Sequence, residues 1–196
     1  NAVNVHWSPN DNKIAFSARG KIYILNVSKR TLDNLEILGM RAEAATWSED
    51  GSGIYFSSDY SGDWQIWRLN LSSFDVEKIT KNGGYLSKEV NGYIYYTYRE
   101  QSGLLRKKPL ASEYQLLTDE FLPASTKVFE VNQQGAYYIY PNGLNYELRF
   151  FDFEKKQSQV LKLLGHDHLP HFSLNKDESH FLFSTNNISE IDLRMI

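Results

Sequence analysis

Val5-His6-Trp7-Ser8-Pro9-Asn10-Asp11-Asn12-Lys13-Ile14-Ala15-Phe16-Ser17 lies without a gap over Ala45-Thr46-Trp47-Ser48-Glu49-Asp50-Gly51-Ser52-Gly53-Ile54-Tyr55-Phe56-Ser57, with Trp7 and Trp47 separated by 40 positions. A fixed period of about 40 residues marks a repeat architecture, in which one supersecondary unit recurs and neighbouring copies share a core. Weaker copies run from Leu86-Ser87 through Asn91-Gly92 to Tyr93-Ile94-Tyr95-Tyr96, and from Phe129 through Gln134-Gly135 to Tyr137-Tyr138-Ile139-Tyr140, both without the tryptophan. A fifth, Phe172 to Ser184, carries about two extra residues in its turn.

Within each period four short β segments recur, separated by turn-forming Gly, Asn, Asp and Ser. The first repeat predicts strands near Asn4 to Trp7, Ile14 to Ser17, Lys21 to Asn26 and Leu35 to Leu38. The second predicts them near Ala45 to Trp47, Gly53 to Ser57, Gln65 to Leu69 and Glu77 to Thr80, with Asp50-Gly51 as a tight turn. The fifth supplies three, near Pro170 to Phe172, Phe181 to Ser184 and Ser189 to Met195. A four-stranded unit of this size cannot bury both faces alone, whereas units arranged radially bury them against one another. The expected fold is therefore all-β, a β-propeller fragment of about five four-stranded antiparallel blades with the last incomplete. Its repeats lie near 3-43, 44-82, 83-126, 127-168 and 169-196.

Asn1-Ala2 reads as the remnant of a cleaved tag, with natural chain expected upstream of Val3. A strand from that region would complete the last blade; without it, open blade edges are expected to invite self-association.

The bulk numbers exclude several function classes. Of 196 residues, 13 are Tyr and 11 Phe, types that favour pleated, half-buried surfaces. The net charge of -3 supplies no positive field, so direct nucleic-acid binding is not expected. The absence of cysteine removes disulfides, thiolate nucleophiles and Cys-containing zinc sites. No run approaches the roughly 18 apolar residues that span a bilayer.

Candidate sites are few. His166, His168 and His171 form the only imidazole cluster, a weak metal candidate because Pro170 keeps the stretch extended and no spacing converges the rings. Arg106-Lys107-Lys108 reads as a solvated strand edge, since alternate residues face opposite sides. Trp7 and Trp47, and the tyrosines 93, 95, 96, 98, 137, 138 and 140, read as packing between blades. The carboxylate pairs Glu49-Asp50, Asp119-Glu120 and Asp177-Glu178 fall in turns, where they bond backbone amides. No catalytic residue, cofactor cradle or metal set emerges, so no enzymatic activity and no cofactor are expected.

Trp7-Ser8-Pro9-Asn10-Asp11 followed by Lys13-Ile14-Ala15-Phe16-Ser17 resembles the TolB-type propeller repeat, usually Trp-Ser-Pro-Asp-Gly-Lys before an apolar strand. Ser58-Asp59 and Trp64-Gln65-Ile66-Trp67-Arg68-Leu69 are similar to the stretch carrying that family's third strand. The resemblance covers nearly the whole chain and is sharp in the first two repeats. It implies one of three settings: a periplasmic TolB-like envelope scaffold, the propeller of a prolyl-oligopeptidase-like serine peptidase, or the periplasmic sensor region of a ToxR/CadC-like membrane-anchored winged-helix transcriptional regulator. The ending at Ile188 to Ile196 looks like that of the regulators, the favoured reading. A peptidase would need a hydrolase domain with a Gly-x-Ser-x-Gly elbow, which this chain lacks. What the resemblance implies is a non-catalytic sensory or protein-binding propeller, taking a protein or small-molecule signal at a propeller face, with a parent anchored in the inner membrane that binds DNA through a different domain.

Overall fold

The computed structural model describes residues 3–37, 39–122, 129–165, 168–174, 178, 180–187 and 190–195; side chains at 3, 168–171, 183–187 and 190–195 lie outside the description. Among the described residues there are nineteen strands and no helix. The chain separates into two compact units, Asn1–Arg99 with Leu104–Leu116, and Glu100–Gly103 with Leu117–Ile196.

The first unit contains two whole sheets. One orders β1 (Val3–Trp7), β2 (Lys13–Ala18), β3 (Lys21–Asn26) and β4 (Thr31–Leu35). The next orders β5 (Glu43–Trp47), β6 (Gly53–Ser58), β7 (Gln65–Asn70) and β8 (Val76–Lys78). A third sheet follows with β9 (Ser87–Val90), β10 (Tyr93–Thr97), β11 (Leu104–Lys107) and β12 (Gln115–Thr118), the unit boundary falling within β12. All pairings recorded between neighbouring strands are antiparallel and local, as hairpin connections require.

Between the first and second sheets a core forms from Ala15, Ile22, Ile24, Ala45, Trp47, Ile54, Phe56 and Leu69. Between the second and third, Tyr55, Ile66, Ile79, Ile94, Tyr96 and Leu105 do the same. The middle sheet is thus covered on both faces: every residue of β6 is buried, whereas β2 alternates buried with half-buried positions. Each fully buried aliphatic or aromatic side chain contributes about 1.5–3 kcal/mol relative to exposure.

The second unit orders β13 (Phe129–Val131), β14 (Gly135–Asn142), β15 (Asn145–Asp152) and β16 (Gln157–Leu164), followed by a three-stranded sheet of β17 (His168–Leu174), β18 (Phe181–Asn187) and β19 (Glu190–Met195). Ile139, Leu148, Leu164 and Phe172 pack between these two sheets.

Repeat identity extends to backbone detail. Asn4 and Ala44, one period apart, both have φ of 53°. The ladder shifts register beside each, between Val3 and His6 and between Glu43 and Thr46, which is a β-bulge at the same place in both first strands.

Three expectations are corrected. The fourth strand of the first sheet is Thr31–Leu35, not Leu35 to Leu38; it is mostly solvent-facing, so the apolar run that suggested a strand belongs instead to the connection that follows. Leu38 itself lies outside the described residues. In the second sheet the fourth strand is Val76–Lys78, a residue earlier than expected and ending before Ile79, whose side chain enters the core. Finally, Trp7 does not pack between blades: it is 55% exposed, against 8% for Trp47. Trp47 lies against the first sheet and its Nε1 donates to the His6 carbonyl at 3.1 Å, while among the described residues Val5 and Trp7 are both more than half exposed and join no buried cluster of the unit.

Candidate functional site: the loop end of the second and third sheets

In every sheet of the first unit the links from second to third strand, and from fourth strand to the next sheet, emerge at the same end. At this end the turns after β4, β6, β8 and β10 bring Arg41, Trp64, Tyr85 and Arg99 to one place, beside Glu43 at the start of β5. The Arg99 guanidinium carbon stands 4.2 Å from the Trp64 ring centroid and 5.2 Å from that of Tyr85. Arg41 approaches the same indole at 5.3 Å. Trp64 and Tyr85 meet edge to face, with centroids 5.3 Å apart and planes at 78°. Cations over an aromatic face gain about 0.5–2 kcal/mol from the ring quadrupole, more as water is excluded.

Tyr85 anchors the cluster. Its backbone N–H donates to the Thr97 carbonyl at 2.8 Å, its carbonyl accepts from Ser57 Oγ, and its hydroxyl donates to Glu43 Oε2 at 2.6 Å. Burial first, and the Glu43 carboxylate second, push the phenol well above its ordinary range, so it remains a neutral donor. Arg41 donates to Glu43 Oε1, which pairs that carboxylate with a cation. Arg99 has aromatic walls but, among the described residues, no ion-pair partner. The arrangement offers a planar, oriented fork of donors matched to a carboxylate on an incoming partner.

Sequence alone does not mark these residues. Trp64 was visible only as part of a strand-three match, and Arg41, Tyr85 and Arg99 sit in connections that differ between repeats. That difference is the one signal they carry: arginines and aromatics in loops that break the repeat pattern.

The sequence candidates fare unevenly. His166 lies outside the described residues, and the side chains of His168 and His171 do as well, although both residues belong to β17. Arg106-Lys107-Lys108 is not simply a solvated edge. Arg106 covers Tyr93 and donates to Gln115, but Lys107 is buried and donates to the Ile79 carbonyl, because its position on β11 faces the second sheet. Tyr95, Tyr96 and Tyr138 are buried as expected, while Tyr93 and Tyr140 are half-buried under Arg106 and Arg149.

Asp50 is turn chemistry, accepting from Ser48 Oγ at 2.7 Å and Ser52 N at 2.9 Å, contacts that hold its carboxyl at about 2. Glu120 departs from the expectation by accepting from Tyr138 and, at 3.3 Å, from Arg149. Glu178 likewise reaches Asn132 at 2.6 Å and Tyr137 at 3.2 Å, both in the preceding sheet's first hairpin. Asp177 lies outside the described residues.

No family model matches the chain, and no curated protein does. Solved structures do. TolB from Acinetobacter baumannii superimposes on the whole chain with a TM-score of 0.82 at 17% identity, using 51% of its own length. The fold is a TolB-like β-propeller. A nidogen/laminin complex matches 93% of the chain with a TM-score of 0.69 at 14% identity over 73% of that chain. A puromycin hydrolase matches 92% with a TM-score of 0.59 at 13% identity over 32% of that chain. The present chain therefore spans about half of the TolB it matches and a third of the hydrolase. Among the described residues no helix is long and apolar enough to cross a membrane.

Proposed function

We propose that this propeller is a non-catalytic protein-recognition module of the periplasm, and that it serves as the sensory region of a membrane-anchored winged-helix transcriptional regulator. The observation that carries recognition is the Arg41–Trp64–Arg99–Tyr85 cluster at the loop end. Arg, Trp and Tyr are the residue types in which interface binding energy concentrates, and the Arg99 guanidinium has no carboxylate of its own among the described residues. An acidic side chain or chain terminus of a partner protein is the chemistry that fits. For recognition to regulate, the partner must bind one arrangement of the parent better than another. DNA contact would belong to a separate basic domain, in keeping with the net charge of -3.

The test has two parts. Binding of acidic peptides, followed by titration calorimetry, is expected to weaken about 10- to 100-fold on Arg99→Ala; unchanged affinity would remove the cluster from the reading. Peptide mapping of the intact polypeptide separates the settings. A winged-helix segment and one apolar span of about 20 residues would support the regulator, a signal peptide alone the envelope scaffold that TolB exemplifies, and a hydrolase domain a peptidase.

A further inference from the structure

A second feature of the first unit lies between its second and third sheets, on the side of their outer strands. Here β8 and the residues after it face the end of β11, enclosing a cavity of about 200 Å3. Lys107 lines it and is 8% exposed. Lysine is almost never so buried without a partner, because desolvating an ammonium is costly. The Ile79 carbonyl accepts one hydrogen bond from Nζ, leaving two of its three donors. Among the described residues no carboxylate lies within ion-pair distance of it.

The charges around the cavity do not cancel. Lys81 and Glu77 both line it, and repulsion from Lys81 outweighs attraction to Glu77; with burial as the leading cause, the Lys107 ammonium is pushed below its ordinary range. Lys78 also lines it, with its ammonium over the Trp67 ring, and Ser112, Tyr96 and Tyr114 bring hydroxyl groups, whereas the Thr80 hydroxyl already donates to Gln65 Oε1 at 2.9 Å. Burial raises the Tyr96 phenol, so it adds no negative charge. The space is too small for a drug-sized ligand, which needs roughly 300–1,000 Å3. It suits a small ion and water.

We propose that this cavity binds a small doubly charged oxyanion of the phosphate type, held by Lys107 and Lys81 with hydroxyl donors from the surrounding wall. Two ammonium groups match a dianion better than a monocarboxylate, and a bound anion would give the buried lysine a counter-charge beside its bond to the Ile79 carbonyl. The site joins two sheets, so occupancy would tie them together and raise the stability of the first unit by mass action.

Titration calorimetry with inorganic phosphate, at constant ionic strength set by sodium chloride, tests this on the 196-residue chain. One saturable site is expected, with acetate binding at least about tenfold more weakly. Lys81→Gln alters an exposed side chain, so folding is unaffected, and it is expected to weaken phosphate about tenfold. Lys107→Met is expected to abolish binding; Lys81→Gln keeps the proposal testable if that variant fails to fold. Arg99→Ala is expected to leave phosphate affinity unchanged, which separates this site from the loop-end cluster. Absence of saturable binding, equal affinity for acetate, or wild-type affinity in Lys81→Gln would overturn the proposal.

Discussion

The first and second sheets begin from nearly the same 13-residue motif and end in different physical environments. Trp47 is packed against the sheet before it and donates from its indole to the His6 carbonyl, while Trp7, at the same repeat position, is more than half exposed. The strand after it tells the same story: Ile54, Tyr55 and Phe56 are all buried, but of Ile14, Ala15 and Phe16 only Ala15 is. A repeat motif encodes the strand and the turn. Burial comes from what stands on each side, and the second sheet has a neighbour on both faces of its unit.

The largest expected effect follows directly. Trp47→Ala removes a packed aromatic and should cost about 3–5 kcal/mol, whereas Trp7→Ala should cost below about 1 kcal/mol because it leaves no cavity. Urea unfolding of the two variants checks this, and equal losses would break the contrast.

A second difference is electrical. His6 stands where the second sheet has Thr46. Burial first, and the Lys88 ammonium second, lower its imidazole from 6.5 to about 3. The unfolded chain therefore takes up this proton first, so the stability that neutral His6 maintains is complete above pH 6.5 and declines as pH falls toward 3. His6→Thr, which copies the second sheet, is expected to flatten the loss of stability on acidification across that range. A urea midpoint falling as steeply in the variant as in the wild type would assign the acid sensitivity elsewhere.

The smallest effect concerns the turns. Asp11 has φ of 55° at the position where the second sheet has Gly51 with φ of 71°. A left-handed conformation costs a side-chain-bearing residue about 1 kcal/mol, somewhat less for Asp. Asp11→Gly should thus stabilise the first sheet by a few tenths of a kcal/mol, after the added freedom of the unfolded chain is subtracted. Differential scanning calorimetry would show a small rise in Tm, and a fall would mean that the Asp11 side chain makes a contact worth more than its strain.

The site has no signature in the local sequence pattern. Trp64, Tyr85, Arg41 and Arg99 are far apart in the chain and converge only because connections of successive sheets emerge at one end. Lys107 was legible as part of a basic run, yet strand alternation alone could not say that its face of β11 looks toward another sheet and not toward water. Glu120 meets Tyr138 and Arg149, and Glu178 meets Asn132 and Tyr137, partners that no local pattern names.

The sequence by itself determined the repeat, the β class and most strand positions, because these depend on period-two alternation, turn residues and backbone preference over a few positions. The tertiary structure decided which copy of a repeated tryptophan is core, which lysine loses its water and which arginine is left with aromatic walls and no counter-charge. Those are properties of desolvation and of charges meeting across strands, set by neighbours that the chain supplies from 28 to 41 residues away.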